Sequence, residues 1–88
     1  MPASSEIVVT LPAQVDQHAR PAAQVVRTAV SYESQITVAL DGRQADAKSL
    51  LAILALGARG GSPLRLTASG NDAVVALDAL RACLTTLD

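Results

Sequence analysis

The chain has 88 residues, a formal net charge of −1, half of its residues hydrophobic, and one tyrosine as its single aromatic side chain. That length makes one domain that buries roughly 60–65% of its unfolded surface, enough for one core and too little for a deep enzyme cleft. The near-neutral charge and the lack of phenylalanine and tryptophan exclude a basic nucleic-acid footprint with stacking platforms, and a lone cysteine, Cys83, excludes an internal disulfide.

The start Met1-Pro2-Ala3-Ser4-Ser5-Glu6 has neither the charged nor the apolar region of a signal peptide, and no apolar run is long enough to cross a bilayer. A soluble cytoplasmic protein with a single domain over residues 1–88 is expected, and a free cysteine suits that reducing compartment.

Ile7, Val9 and Leu11 alternate with Glu6, Val8 and Thr10, predicting a first strand with one apolar face. A loop over 12–17 leads to His18, and Pro21 then marks the first turn of a helix starting at His18 or Ala19. This helix is expected to run to about Tyr32 and to bury Ala22, Val25, Val26, Ala29 and Val30, with Arg20, Gln24, Arg27 and Ser31 on a polar stripe. A second strand spans 35–40 with Ile36, Val38 and Leu40 inward, and Asp41-Gly42 turns it into a short third strand over 43–46.

Ser49 caps a short second helix, which Gly57 closes. Its Leu50, Leu51, Ile53, Leu54 and Leu56 point around nearly the whole circumference, more apolar surface than one side of a short helix can bury. Either loops cover it, or part of it faces water as a docking patch. A last strand follows Gly60-Gly61-Ser62-Pro63 with Leu64, Leu66 and Ala68 inward. The final helix runs from Asn71 or Asp72 to about Leu87, with Leu77, Leu80, Leu84 and Leu87 on its core side and Cys83 as a buried, inert thiol. Asp72 and Asp78 are placed on its solvated face. The order β-α-β-β-α-β-α belongs to the α+β class, an antiparallel sheet with the helices on one face.

The chemistry concentrates at Gln17-His18-Ala19-Arg20-Pro21-Ala22-Ala23. A helix N-terminus carries unpaired N–H groups and about half a unit of positive charge, so a dianionic group on His18 would find the amides of Ala19 and Arg20 beneath it. Arg20 adds a fixed cation. Imidazole titrates at about 6.5, so one ring nitrogen is free to act as a nucleophile at cytoplasmic pH. These features suit a reversible phosphohistidine; a histidine that merely sits at a helix start is the plainer alternative. One histidine and one distant cysteine give no metal cluster, and no phosphate loop, nucleophile elbow or dinucleotide fingerprint occurs, so neither metal nor cofactor is expected.

The same residues resemble the phosphorylation site of the HPr family, the histidine-containing phosphocarriers of the bacterial phosphoenolpyruvate-dependent sugar phosphotransferase system, where the site reads Gly-Leu-His-Ala-Arg-Pro-Ala. The stretch Asp46-Ala47-Lys48-Ser49-Leu50-Leu51-Ala52-Ile53-Leu54-Ala55-Leu56-Gly57 is similar to the family's serine-site helix, and the resemblance covers essentially the whole chain. Asp16-Gln17 departs from the family's Gly-Leu. A carboxylate about 4 Å from the phosphoryl group would repel it by roughly 1 kcal/mol in a solvent-like medium, whereas one pointing into solvent does little.

The resemblance implies an open-faced sandwich of four antiparallel strands and three helices. It implies that His18 accepts a phosphoryl group on Nδ1 from phospho-enzyme I and passes it to an enzyme IIA domain, with Arg20 stabilising the group. Ala19, Arg27, Lys48, Leu50, Leu51 and Leu54 become partner contacts, and the protein is expected to act as a monomer. It also makes Ser49 a candidate for regulatory phosphorylation by an HPr kinase/phosphorylase, beside its plain role as a cap. Two alternatives remain at this point: an HPr-like regulatory module with weak carrier activity, and a carrier in a dihydroxyacetone-kinase or nitrogen-control relay.

Overall fold

The computed structural model describes residues 4–12 and 19–86. Its elements are β1 (Ser4–Thr10), α1 (Ala19–Val30), β2 (Gln35–Leu40), β3 (Arg43–Asp46), α2 (Leu50–Ala55), β4 (Pro63–Ser69) and α3 (Ala73–Thr85). The four strands form one antiparallel sheet in the order β1-β4-β2-β3.

Register follows from side-chain alternation, because a one-residue slip would turn every apolar side chain to the wrong face. Ile7, Leu66, Val38 and Ala45 form a row across all four strands on the helix side. Val8, Arg65, Ala39 and Gln44 form the neighbouring row on the open side. The type of turn at Asp41 and Gly42, with φ of 52° and 82°, is the primed kind that matches the twist of a two-residue hairpin.

All the core lies on the helix side. Ile36, Val38, Leu64, Leu66 and Ala68 of the sheet meet Ala73, Ala76, Leu77, Leu80 and Leu84 of α3, together with Val25 and Ala29 of α1. The α3 residues recur at i, i+3, i+4, i+7 and i+11, a single helical stripe. α3 packs over β1 and β4, α1 lies against both α3 and α2, and α2 sits at the β3 end of the sheet.

Four expectations shift in detail. α1 ends at Val30, after which Ser31 and Tyr32 donate to Thr28 and Ala29 three residues back, tightening the chain out of α-helical form. Val30 is exposed and Val26 half-buried, so the buried stripe of α1 is the narrower Ala22, Val25 and Ala29. α3 is described as helix only to Thr85, and Leu87 lies outside the described residues. Cys83 is half-buried, not fully enclosed.

Asp72 is the larger correction. Its carboxylate turns back from the start of α3 and accepts from the Glu33 amide and the Ser34 amide, each at 2.9 Å, and from the Ser34 hydroxyl. It therefore gives α3 no side-chain cap. Ser34 is almost fully buried, and this carboxylate is its hydrogen-bond partner at the junction of the α1–β2 and β4–α3 loops. Gly70 completes the junction: a Cβ there would come within 2.8 Å of the Ser34 Cα, and its φ of 149° disfavours a side chain.

The Ser34 hydroxyl, then the Glu33 amide, hold the Asp72 carboxyl below its ordinary value of 3.8. A group whose folded pKa is depressed stabilises the fold above its unfolded pKa and loses that contribution as pH falls through the folded value. Asp72→Asn is therefore expected to melt lower than the parent at neutral pH, with the gap closing as pH drops below about 4, as thermal denaturation followed across pH would show. A gap that stays constant with pH would place the effect elsewhere.

Candidate functional site

α1 begins at Ala19, with Pro21 in its first turn, and that turn holds no acidic residue. A proline there is compatible with a helix start because its missing N–H would have no intrahelical acceptor. His18 and Asp16-Gln17 lie outside the described residues, as do the side chains of Ala19 and Arg20. The described backbone supplies a helix start immediately after the histidine.

α2 carries the second half of the expected site. None of its residues is fully buried. Leu51 is 80% exposed and Leu50 38%, while Leu54 is half-buried and Ile53 and Ala52 pack against the core. Loops therefore do not cover this helix. A leucine left this open forgoes most of the 1.5–3 kcal/mol, roughly, that full burial would contribute. α1 packs beside α2, and Arg27 in the last turn of α1 is exposed.

The approach to α2 is held closely. Ala47 is fully buried and its amide donates to the Ile36 carbonyl at 2.9 Å. The Asp46 carboxylate accepts from the Lys48 amide at 2.9 Å, and the Asp46 carbonyl from the Ser49 amide at 3.0 Å. Ser49 is the N-cap: its backbone is extended, and its Oγ accepts from the Ala52 amide at 3.3 Å. The capping reading of this serine holds.

Lys48 sits differently from a free rim charge. Its Nζ donates to the Tyr32 carbonyl at 2.7 Å, just past the end of α1, where carbonyls without helical donors favour a cation. Lys48 thus ties the end of α1 to the start of α2, and Arg27 is the cation that α1 itself presents to solvent among the described side chains. The Tyr32 carbonyl was missed in the sequence; the available signal was the general preference of lysine for the last carbonyls of a helix. Among the described residues no group of three His, Cys, Asp or Glu side chains could hold a metal ion.

Comparison with known proteins places this arrangement. The family model described as the PTS HPr component phosphorylation site matches residues 5–86. The chain is 41% identical over 71 residues to the phosphocarrier protein HPr of Haemophilus influenzae, covering 81% of this chain and 84% of that one. It is 40% identical over 70 residues to a multiphosphoryl transfer protein of Xanthomonas campestris, covering 80% of this chain and 8% of that much longer protein. The crystal structure of a phosphocarrier protein HPr from Bacillus anthracis superposes with a TM-score of 0.88 at 34% identity, covering 94% of this chain and 99% of that one. The chain belongs to the HPr family of phosphotransferase-system phosphocarriers, and its fold is that family's open-faced sandwich.

Lys48→Met keeps the aliphatic stem and removes the donor to Tyr32, so it is expected to destabilise the fold by about 1 kcal/mol in urea denaturation. Ser49→Ala, which removes the cap on α2, is expected to cost a similar amount, about 1 kcal/mol, in the same measurement.

Proposed function

We propose that this chain carries a phosphoryl group on His18, taken from phospho-enzyme I and passed to an enzyme IIA domain during sugar uptake in the cytoplasm. In each step the P–N bond of the donor phosphohistidine breaks as a P–N bond to the acceptor imidazole forms. The observation that carries this reading is the family match over residues 5–86, which takes in His18-Ala19-Arg20-Pro21. The likeness to a segment of a multiphosphoryl transfer protein supports a place within a relay of phosphoryl-transfer partners.

Within this reading the parts divide as follows. The amides at the start of α1 and the Arg20 guanidinium stabilise the phosphoryl group in transit. Leu50, Leu51 and Leu54, with Ala19 and Arg27, form the surface against which donor and acceptor close, and an apolar centre with a cationic rim selects partners of opposite charge. Lys48 contributes by fixing α1 against α2. Ser49 is the candidate for regulatory phosphorylation by an HPr kinase/phosphorylase, since a phosphate there would put close to two negative charges beside Leu50 and Leu51.

Incubation with phosphoenolpyruvate and enzyme I, followed by intact mass, is expected to show an acid-labile gain of one phosphoryl group that His18→Ala lacks. Leu51→Asp should keep the phosphorylation site and lower the kcat/KM of transfer by about tenfold or more, as expected for a charge placed in an interface centre. No gain with an enzyme I that phosphorylates another HPr would overturn the sugar-carrier reading and favour a regulatory module or a different relay.

A further inference from the structure

We infer that the outer face of α3 is a self-association surface: two copies of this chain pack their α3 helices antiparallel about a two-fold axis near Leu80. The inference starts from the composition of that helix. A helix lying on a sheet ordinarily sets an apolar stripe against the core and polar side chains toward water. α3 buries Ala73, Ala76, Leu77, Leu80 and Leu84, yet Asp78 and Arg81 are the only charged residues among its thirteen. Val74 is 60% exposed and Val75 59%.

Two stripes make up the outer face. Val75, Ala79, Ala82 and Thr86 recur at i, i+4, i+7 and i+11, the alternating four- and three-residue spacing of a two-helix seam. Val74, Asp78, Arg81 and Thr85 run beside them at the same spacing. All eight are exposed except Ala79, which is half-buried. The threonines extend the apolar surface. The Thr85 hydroxyl donates to the Arg81 carbonyl and the Thr86 hydroxyl to the Ala82 carbonyl, both at 2.8 Å, so the helix itself engages the hydroxyls and the methyls are left for a neighbour. The side chains of Asp78 and Arg81 have no hydrogen bond or ion pair among the described residues.

The order of the two charges names the occupant. The acid precedes the base by three residues, so a second copy of the helix turned end for end sets each Asp78 against the partner's Arg81 and makes two ion pairs. A parallel copy would bring Asp78 to Asp78 and Arg81 to Arg81, and like charges repel. In the antiparallel arrangement Ala79 meets the partner's Ala82 at the crossing, where small side chains let the two backbones approach. Val75 then reaches the methyl of the partner's Thr86, and Val74 that of the partner's Thr85. α3 packs over β1 and β4 whereas α2 sits at the β3 end of the sheet, so Leu50 and Leu51 stay open on both copies. This replaces the monomer expected from the sequence and does not depend on the carrier reading.

Sedimentation equilibrium of the full chain from micromolar to millimolar concentration tests it. The seam is one short helix on each side, so a reversible monomer–dimer equilibrium with a dissociation constant on the order of 0.1 mM is expected. Asp78→Arg and Arg81→Asp each set like charges face to face, and each is expected to lower the association constant about tenfold or more. Asp78→Arg combined with Arg81→Asp restores both pairs in the reversed sense and is expected to return the constant to within about threefold of the parent. Ala82→Gln leaves the charges alone and crowds the crossing, so it too is expected to weaken association. Far-UV circular dichroism like that of the parent shows that each variant is folded. A monomer at every concentration would overturn the inference, as would a dimer that the single reversals leave unchanged or that the combined reversal fails to restore.

Discussion

The rest of the structure depends on a one-sided sheet. Alternation along β1, β4, β2 and β3 sends Ile7, Leu66, Val38 and Ala45 to one face, and Val8, Arg65, Ala39 and Gln44 to the other. Only the first face is apolar enough to exclude water, so all three helices must lie on it. With no phenylalanine or tryptophan, that layer is filled by aliphatics and by alanines such as Ala29, Ala68, Ala73 and Ala76, whose small size lets helix and sheet backbones approach. Three helices sharing one face must be neighbours, which brings α1, whose first residue follows His18 in the sequence, beside α2 and its leucines.

Two polar ties fix that layer where packing alone would leave it free to slide. Asp72 and Ser34 join the loop after α1 to the loop before α3, with Gly70 leaving room for the contact. Lys48 joins the end of α1 to the start of α2. Both ties engage the same short segment, Tyr32 to Ser34, and both span residues far apart in sequence. The segment after α1 therefore anchors the helix to its two neighbours at once. The two ties thereby hold α1 and α2 in one fixed arrangement.

The exposed side chains divide in a way that fits the family. Leu51 sits in the open on a helix whose other side is packed by Ile53, with the buried Leu56 just past its end, and Arg27 of the neighbouring helix α1 is exposed. Under the carrier reading proposed above, no enclosed cleft is needed, because the partners supply the remaining catalytic groups. What the carrier needs is a surface that can close against several proteins in turn, and an aliphatic patch adapts to different partners more readily than a set of directional polar contacts.

Much of this was readable along the chain. The two-residue period of Ile36, Val38 and Leu40, the Asp41-Gly42 turn, the Ser49 cap and the element order all follow from local rules, and the His18-Ala19-Arg20-Pro21 run with the Lys48-Ser49 helix carried the family. Local rules also showed that α2 has more apolar surface than one side can bury, without showing whether anything covered it. That was decided by where α2 lies in the layer. The fate of Asp72 and Lys48 was likewise beyond the sequence: each looks like an ordinary solvated charge, and each finds its partner across a gap of 16 or more residues. Periodicity and caps are short-range interactions and leave marks within a few residues, whereas a hydrogen bond between distant loops exists only once the sheet has set their spacing. The sequence by itself thus determined which faces are apolar, in what order the elements follow and which family the chain resembles. The tertiary structure alone decided which charges are engaged, which leucines stay in water and which strands end the sheet, because each depends on what the packed sheet brings near.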